Sequence, residues 1–119
     1  MRVTGIRHTG LVVRDMPKMI EFYLGLGFRK ITYVNTEKGK YLRESMGLEG
    51  ARALVVKLEA PDHSILELLE MESHPEENRR HIAFEVDDLK NGARSPYHHV
   101  KTKWIQDPEG NWIEGVELI

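Results

Sequence analysis

The clearest structural signal in the chain is the stretch Arg79–Leu89, whose sequence is RRHIAFEVDDL. Apolar side chains at Ile82, Phe84 and Val86 alternate with the residues between them, which is the period of a half-buried strand. His81 lies on the second face of this strand, and an acidic turn follows. The stretch therefore predicts one short strand that carries a histidine near its start.

The same pattern occurs a second time, as RHTGLVVRDM near the start of the chain, and a shift of 73 residues places His8 on His81. A further pair of stretches, APDHSILELLEM and DPEGNWIEGVEL, matches at a shift of 47 and places Glu67 on Glu114. The chain is therefore an internal duplication. Each half contributes one strand histidine and one strand glutamate.

Apolar periodicity predicts the remaining elements. An amphipathic stripe predicts one long helix over Asp15–Leu24, with Asp15 as its N-cap and Pro17 in its first turn. The pattern is weakest over Asn35–Gly50, where Tyr41–Met46 is predicted to form a short helix. The predicted strands are Ile6–Val13, Phe28–Val34, Ala53–Leu58, Ile65–Met71, Arg80–Val86, Val100–Gln106 and Trp112–Leu118.

The second half is shorter than the first. The interval between its histidine and its glutamate is 33 residues, against 59 in the first half, a deficit of 26. Residues 89–96 are polar and are interrupted by a glycine and a proline, so we predict that this half lacks the helix. A charged linker divides a single domain, residues 1–119, into a first module over 1–72 and an abridged second module over 78–119.

Composition excludes several classes of function. The net charge of −2 and the absence of a basic cluster argue against a nucleic-acid partner. The chain has no cysteine, which excludes disulfides and zinc–thiolate sites and fits a cytoplasmic location. No apolar run approaches the ~18 residues of a membrane span. These features predict a protein without a nucleic-acid or membrane partner.

Four residues at repeat-equivalent positions form the candidate site: His8, Glu67, His81 and Glu114. If the halves pack about a pseudo-twofold axis, two imidazoles and two carboxylates converge on one point. Such a mixed nitrogen and oxygen set suits Zn, Ni, Co, Mn or Fe as a divalent ion. It would leave open positions for the oxygens of a small-molecule substrate.

The surroundings of the two glutamates support this interpretation over an ordinary structural role. A single strand histidine or glutamate is more often structural, but Glu67 and Glu114 each share a strand face with apolar residues. A carboxylate in such a row is costly to desolvate without a cation partner. Glu70 and Glu117 have the opposite parity and are predicted to be solvated. Of the adjacent pair His98-His99, at most one side chain can face a site.

These motifs together resemble those of the vicinal oxygen chelate superfamily, also called the glyoxalase/bleomycin-resistance/extradiol-dioxygenase superfamily. The similar stretches are the first-strand histidine, EFY and LGF at the helix exit, LELLE, HIAFEVDDL and DPEGNWIE. The resemblance implies an α+β fold of tandem βαβββ modules, here with the second module abridged, whose sheets curl around a metal site. It also implies a homodimer.

The pattern of candidate ligands resembles particular members to different degrees. Members with His, Glu, His and Glu in these places look most like lactoylglutathione lyase. Methylmalonyl-CoA epimerase commonly has glutamine where Glu67 stands. Extradiol dioxygenases use two histidines and one glutamate, which match His8, His81 and Glu114. Antibiotic-sequestering members often lack the ligands.

The resulting hypothesis is a metal-dependent, glyoxalase-like lyase or isomerase that acts on a small substrate through a metal-chelated enediolate. His8 and His81 would be ligands only, whereas Glu67 or Glu114 would also move the substrate proton. One alternative is a non-catalytic small-molecule binding protein, which the 26-residue deficit favours. Another is an Fe(II) dioxygenase, which would not need Glu67.

An uncovered apolar face supports the homodimer expectation. Ile82, Phe84, Val86 and Ile113 share the strand parity that a second helix would normally cover, and burying each large side chain is worth roughly 1.5–3 kcal/mol. We expect another copy of the chain to cover this face, unless the short helix within Asn35–Gly50 does so instead.

Overall fold

One eight-stranded mixed sheet is the framework of the computed structural model, which describes residues 1–119. The elements along the chain are β1 (Val3–Val12), α1 (Met16–Gly25), β2 (Lys30–Lys38), α2 (Lys40–Met46), β3 (Arg52–Glu59), β4 (Ile65–Met71), β5 (His81–Val86), β6 (Ala93–Arg94), β7 (Val100–Gln106) and β8 (Trp112–Leu118). Neither helix has the length and hydrophobicity needed to cross a lipid bilayer.

The order of strands across the sheet is β2-β3-β4-β1-β5-β8-β7-β6. Within each half one pair is parallel, β1 with β4 and β5 with β8, and the antiparallel pair β1–β5 joins the halves. The predicted α+β class is therefore confirmed. All four strands that carry the candidate site residues lie side by side in the middle of the sheet.

Matching hydrogen bonds occur at equivalent positions of the sequence repeat. The backbone N–H of Met16 donates to Glu70 Oε1 at 3.3 Å, and the N–H of Leu89 donates to Glu117 Oε1 at 2.6 Å. Glu70 and Glu117 thus fasten the segment that follows the first strand of each half. The prediction that both carboxylates are solvated was wrong, because each accepts a backbone donor that would otherwise lack a partner.

Helix α1 covers the outer face of the first half. Asp15 is its N-cap and accepts a hydrogen bond from the N–H of Lys18 at 3.2 Å, as predicted. Met16 packs with Leu58 and Leu68, which are fully buried. The helix leaves the opposite face of the sheet free for the candidate site.

Helix α2 packs on that opposite face. Its Leu42 and Met46 are buried against Val55 of β3 and Leu69 of β4, and the left-handed Gly47 ends it. The short helix therefore lies beside the candidate site and does not cover the apolar face of β5. Ile82 on that face remains 42% exposed.

The structure departs from the predicted elements in three places. Strand β1 begins at Val3 rather than Ile6, and β2 spans Lys30–Lys38 instead of Phe28–Val34. The polar end of β2 also pairs with β3, although the polar composition of that segment gave no indication of a strand. The abridged connection contains no helix, as predicted, but it does contain the two-residue strand β6, which is too short to show a period.

Candidate metal centre

Strand pairing brings the four candidate residues to one place within a single chain. Gly10 of β1 is the register partner of both Glu67 on β4 and His81 on β5. Ala83 is likewise the partner of both His8 and Glu114. Residues in register point to the same side of a sheet. The four side chains therefore meet on the face opposite α1, and we call them the His–Glu cluster.

The two imidazoles face each other across the pseudo-twofold axis. Their Nε2 atoms are 3.1 Å apart, and each lies 3.4 Å from one oxygen of Glu67. Glu114 makes both of its contacts through Oε1, at 3.4 Å from His8 Nε2 and 3.8 Å from His81 Nε2. All four residues are at least nine-tenths buried. One ligand atom each from His8, Glu67 and His81 all lie within 4.8 Å of one another.

Backbone and aromatic contacts fix the orientation of His81. Its Nδ1 donates a hydrogen bond to the carbonyl oxygen of Arg79 at 2.7 Å, so the lone pair of Nε2 points into the cluster. The ring also packs on Trp104, at 4.3 Å between centroids. The buried Arg79 guanidinium in turn lies 3.7 Å from the centre of the Trp112 ring. A hydrogen bond from Nδ1 to a backbone carbonyl oxygen is the contact that typically orients a metal-binding histidine.

Gly10 makes room for the His81 ring. A Cβ atom built on Gly10 would overlap His81 Cε1. The motif His-Thr-Gly on β1 therefore serves the site twice, through the imidazole of His8 and through the missing side chain two residues later. Since residues two apart on a strand share a face, this requirement follows from the cross-strand register.

Without a bound metal, attraction between the imidazoles and the carboxylates shifts the pKa values of Glu67 and His81. Burial opposes ionisation of Glu67, but His8 and His81 outweigh it and lower the pKa of this carboxyl to about 2. Burial likewise opposes the charged form of His81, yet Glu67 and Glu114 raise its pKa. A divalent ion would take the place of such a proton, because a ligating imidazole must be neutral at the ligating nitrogen.

The residues present fit a divalent metal. Two buried Nε2 atoms and the carboxylate oxygens form a mixed donor set of the kind used by zinc and neighbouring transition metals. His81 has the hydrogen bond that fixes its tautomer, and Gly10 leaves the space that its ring needs. His8, Glu67 and His81 could therefore hold such an ion, with Glu114 beside them.

Glu37 is a site residue that sequence reasoning missed. It lies near the end of β2, is 9% exposed, and accepts a hydrogen bond from Tyr33 Oη at 2.8 Å. Burial raises its pKa to about 7. Glu37 lines the same small cavities as Glu67 and Glu114. Its segment is polar and gave no strand signal, so its inward direction could not be inferred.

Three further side chains line the site. Tyr41 on α2 shares a hydrogen bond with Thr102 at 2.6 Å between oxygens, and burial raises its pKa. Lys57 on β3 is the register partner of Glu67. Of the pair His98-His99, only His98 lines the cavity; both lie in the bend before β7, so strand parity does not decide this.

The family model that matches the chain is that of the Glyoxalase/Bleomycin resistance protein/Dioxygenase superfamily, over residues 5–94. The chain belongs to this superfamily. The matched residues include His8, Glu67 and His81, and they end before Glu114 on β8. No curated protein matches the chain.

Solved structures of superfamily members share the fold across almost the whole chain. A glyoxalase family protein from Bacillus cereus has a TM-score of 0.59 at 18% identity, covering 98% of this chain and 95% of its own. Methylmalonyl-CoA epimerase from Mycobacterium tuberculosis has a TM-score of 0.61 at 20% identity, with 98% and 89% covered. A variant of the Streptomyces coelicolor epimerase bound to 2-nitronate-propionyl-CoA has a TM-score of 0.62 at 16% identity, with 98% and 99% covered.

Proposed function

We propose that this chain is a metal-dependent isomerase or lyase that removes a proton from a carbon next to a substrate carbonyl. The observation that carries the proposal is the convergence of two Nε2 atoms and two carboxylates within one buried cluster. A bound divalent ion would act as a Lewis acid that stabilises negative charge on neighbouring substrate oxygens. His8, Glu67, His81 and Glu114 are the proposed ligands.

The contacts of the two glutamates favour different roles for them. Glu67 uses one oxygen towards each imidazole, which fits a residue that mainly holds the cluster together. Glu114 uses only Oε1, so its second oxygen is free to accept the substrate proton and return it. Since Glu67 is at least as close to both imidazoles as Glu114 is, a dioxygenase centre that leaves Glu67 out is less well supported.

Metal binding is the first test of this proposal. Zinc and nickel affinities should be measured by competition with a chromophoric chelator for the wild type, His81→Ala and His63→Ala. We expect one ion per chain, a loss of at least tenfold for His81→Ala, and no change for the exposed His63. A wild type that binds no ion would refute the proposed centre.

Proton transfer is the second test. The metal-loaded protein should be incubated in D2O with the methylglyoxal–glutathione adduct and with methylmalonyl-CoA, and deuterium incorporation followed by NMR. The two substrates represent the lyase-like and epimerase-like forms of the proposal. Glu114→Gln should lose exchange by at least a hundredfold. Tight metal binding without exchange of either substrate would argue for a binding protein instead.

A homodimer is part of the same proposal. Ile6 and Ile82 are 70% and 42% exposed on the outer face of the central strands, and Ile6 pairs in register with Phe84. Neither helix covers this face. A second copy that buried it would remove an apolar patch that is unusual on a soluble monomer.

A further inference from the structure

The space above the His–Glu cluster is very small. The cavity lined by His8, Glu67 and Glu114 measures about 30 Å³, which is room for roughly two water molecules. Tyr41 and Thr102 line this cavity and are joined by a hydrogen bond of 2.6 Å between their oxygens. A molecule that reaches the cluster can therefore have only a few atoms at that point.

Lys57 is a cation of this cavity without an acidic partner. Its ammonium nitrogen has no carboxylate oxygen within 4.0 Å and lies 5.2 Å from the centre of the Tyr33 ring. Arg7, which lines the same cavity, is paired with Glu85 at 3.2 Å. Lys57 therefore provides positive charge that nothing in the chain neutralises by direct contact.

His98 supplies a second polar group that lacks a partner. Its Nε2 is buried without a hydrogen bond, and the residue lines the same cavity as Lys57. Burial lowers the pKa of His98, and the charges of Lys57 and Arg7 lower it further, so its imidazole is neutral at physiological pH. A buried ring nitrogen without a partner costs free energy, which an oxygen atom of a bound molecule would recover.

The charge of the metal-loaded site also favours an anion. The two positive charges of a divalent ion are offset by the carboxylates of Glu67 and Glu114. Arg7 is offset by Glu85. Glu37 also lines the cavity, but its contact is the hydrogen bond from Tyr33 Oη rather than an ion pair with Lys57. Lys57 is thus a cation of this cavity without a carboxylate oxygen within 4.0 Å, and it is placed to pair with one negative charge on a ligand.

We propose that the substrate is a small free carboxylic acid of the 2-hydroxy or 2-oxo class, whose carboxylate is bound by Lys57 with His98 beside it. This inference rests on the proposed function. Such an acid has two neighbouring oxygens to offer to the His–Glu cluster and keeps one carboxylate oxygen for Lys57. The proton to be removed lies on C2 of a 2-hydroxy acid, next to the carboxyl group, or on C3 of a 2-oxo acid, next to the C2 carbonyl.

Glycolate and hydroxyacetone provide a matched pair of probes, because both are small and have neighbouring oxygens but only glycolate is charged. Each should be titrated calorimetrically into the zinc-loaded wild type, Lys57→Met, Lys57→Arg and Lys30→Met. We expect the wild type to prefer glycolate by at least tenfold. Lys57→Met should reduce this preference at least fivefold while zinc affinity and hydroxyacetone binding stay unchanged, and the remaining preference reflects the carboxylate oxygen at the zinc ion. Lys57→Arg should keep most of it, and the exposed control Lys30→Met all of it.

Equal binding of the two probes by the wild type would overturn the proposal, as would a preference for glycolate that is as large in Lys57→Met as in the wild type. Circular dichroism spectra of the variants show whether a loss of glycolate binding reflects misfolding. Retention of glycolate binding by Lys57→Arg excludes misfolding as a general effect of substitution at this position. Repeating the titration with metal-free protein separates the test of the carboxylate subsite from the test of the proposed metal centre. Glycolate binding that depends on Lys57 without zinc binding would support the carboxylate subsite and refute the proposed metal centre.

Discussion

Replacing Glu37 with glutamine should stabilise the metal-free protein above neutral pH and have little effect in mild acid. Burial raises the pKa of this carboxyl from its ordinary 4.5 to about 7. At 1.36 kcal/mol per pKa unit, ionised Glu37 destabilises the folded state by about 3 kcal/mol. Glutamine retains an acceptor for Tyr33 Oη and avoids this cost.

The sign of the pH dependence follows from linkage. The unfolded carboxyl loses its proton near pH 4.5, whereas the folded carboxyl keeps it until about pH 7. Between these values the folded state binds more protons, so this group lowers the free energy of unfolding as the pH rises. Its contribution is absent below about pH 4.5 and constant above about pH 7.

Urea unfolding at pH 5 and pH 9 with a chelator present measures the effect. The difference between Glu37→Gln and wild type should be below about 1 kcal/mol at pH 5 and about 3 kcal/mol at pH 9. Glu21→Gln on the exposed face of α1 is the control and should change stability by less than about 0.5 kcal/mol at either pH. A Glu37→Gln effect of equal size at both pH values would refute the reasoning, as would destabilisation at pH 9.

Two further predictions concern the sheet. Gly10→Ala should reduce zinc affinity by about 10–100-fold, since its Cβ would overlap the His81 ring, whereas Gly5→Ala on the same strand meets no atom within 4 Å and should bind zinc normally. Competition with a chelator distinguishes the two, and equal affinities would show that His81 does not need this space. Light scattering at micromolar concentration should show a wild-type dimer that Ile82→Asp dissociates; Ile31→Asp, equally exposed on β2, should not. A monomeric wild type would end the dimer proposal.

Much of the framework could be predicted from local patterns. The amphipathic stripe and its Asp15 cap gave α1, and alternation gave the strands that carry His8, Glu67, His81 and Glu114. The internal sequence repeat predicted more about the site than the apolar alternation of single strands did. Because equivalent residues of a duplicated unit take related places about its axis, matching His8 with His81 and Glu67 with Glu114 predicted that they meet.

Only the tertiary structure decided what surrounds that meeting point. Glu37 lies on a polar strand end whose direction depends on pairing with β3, and His98 lies in a loop without any period. The side of the sheet on which α2 packs is likewise set by the fit of Leu42 and Met46 against β3 and β4. Periodicity reports which residues of one element share a face. Burial, raised pKa values and an unpaired Lys57 arise only when separate elements enclose the same space.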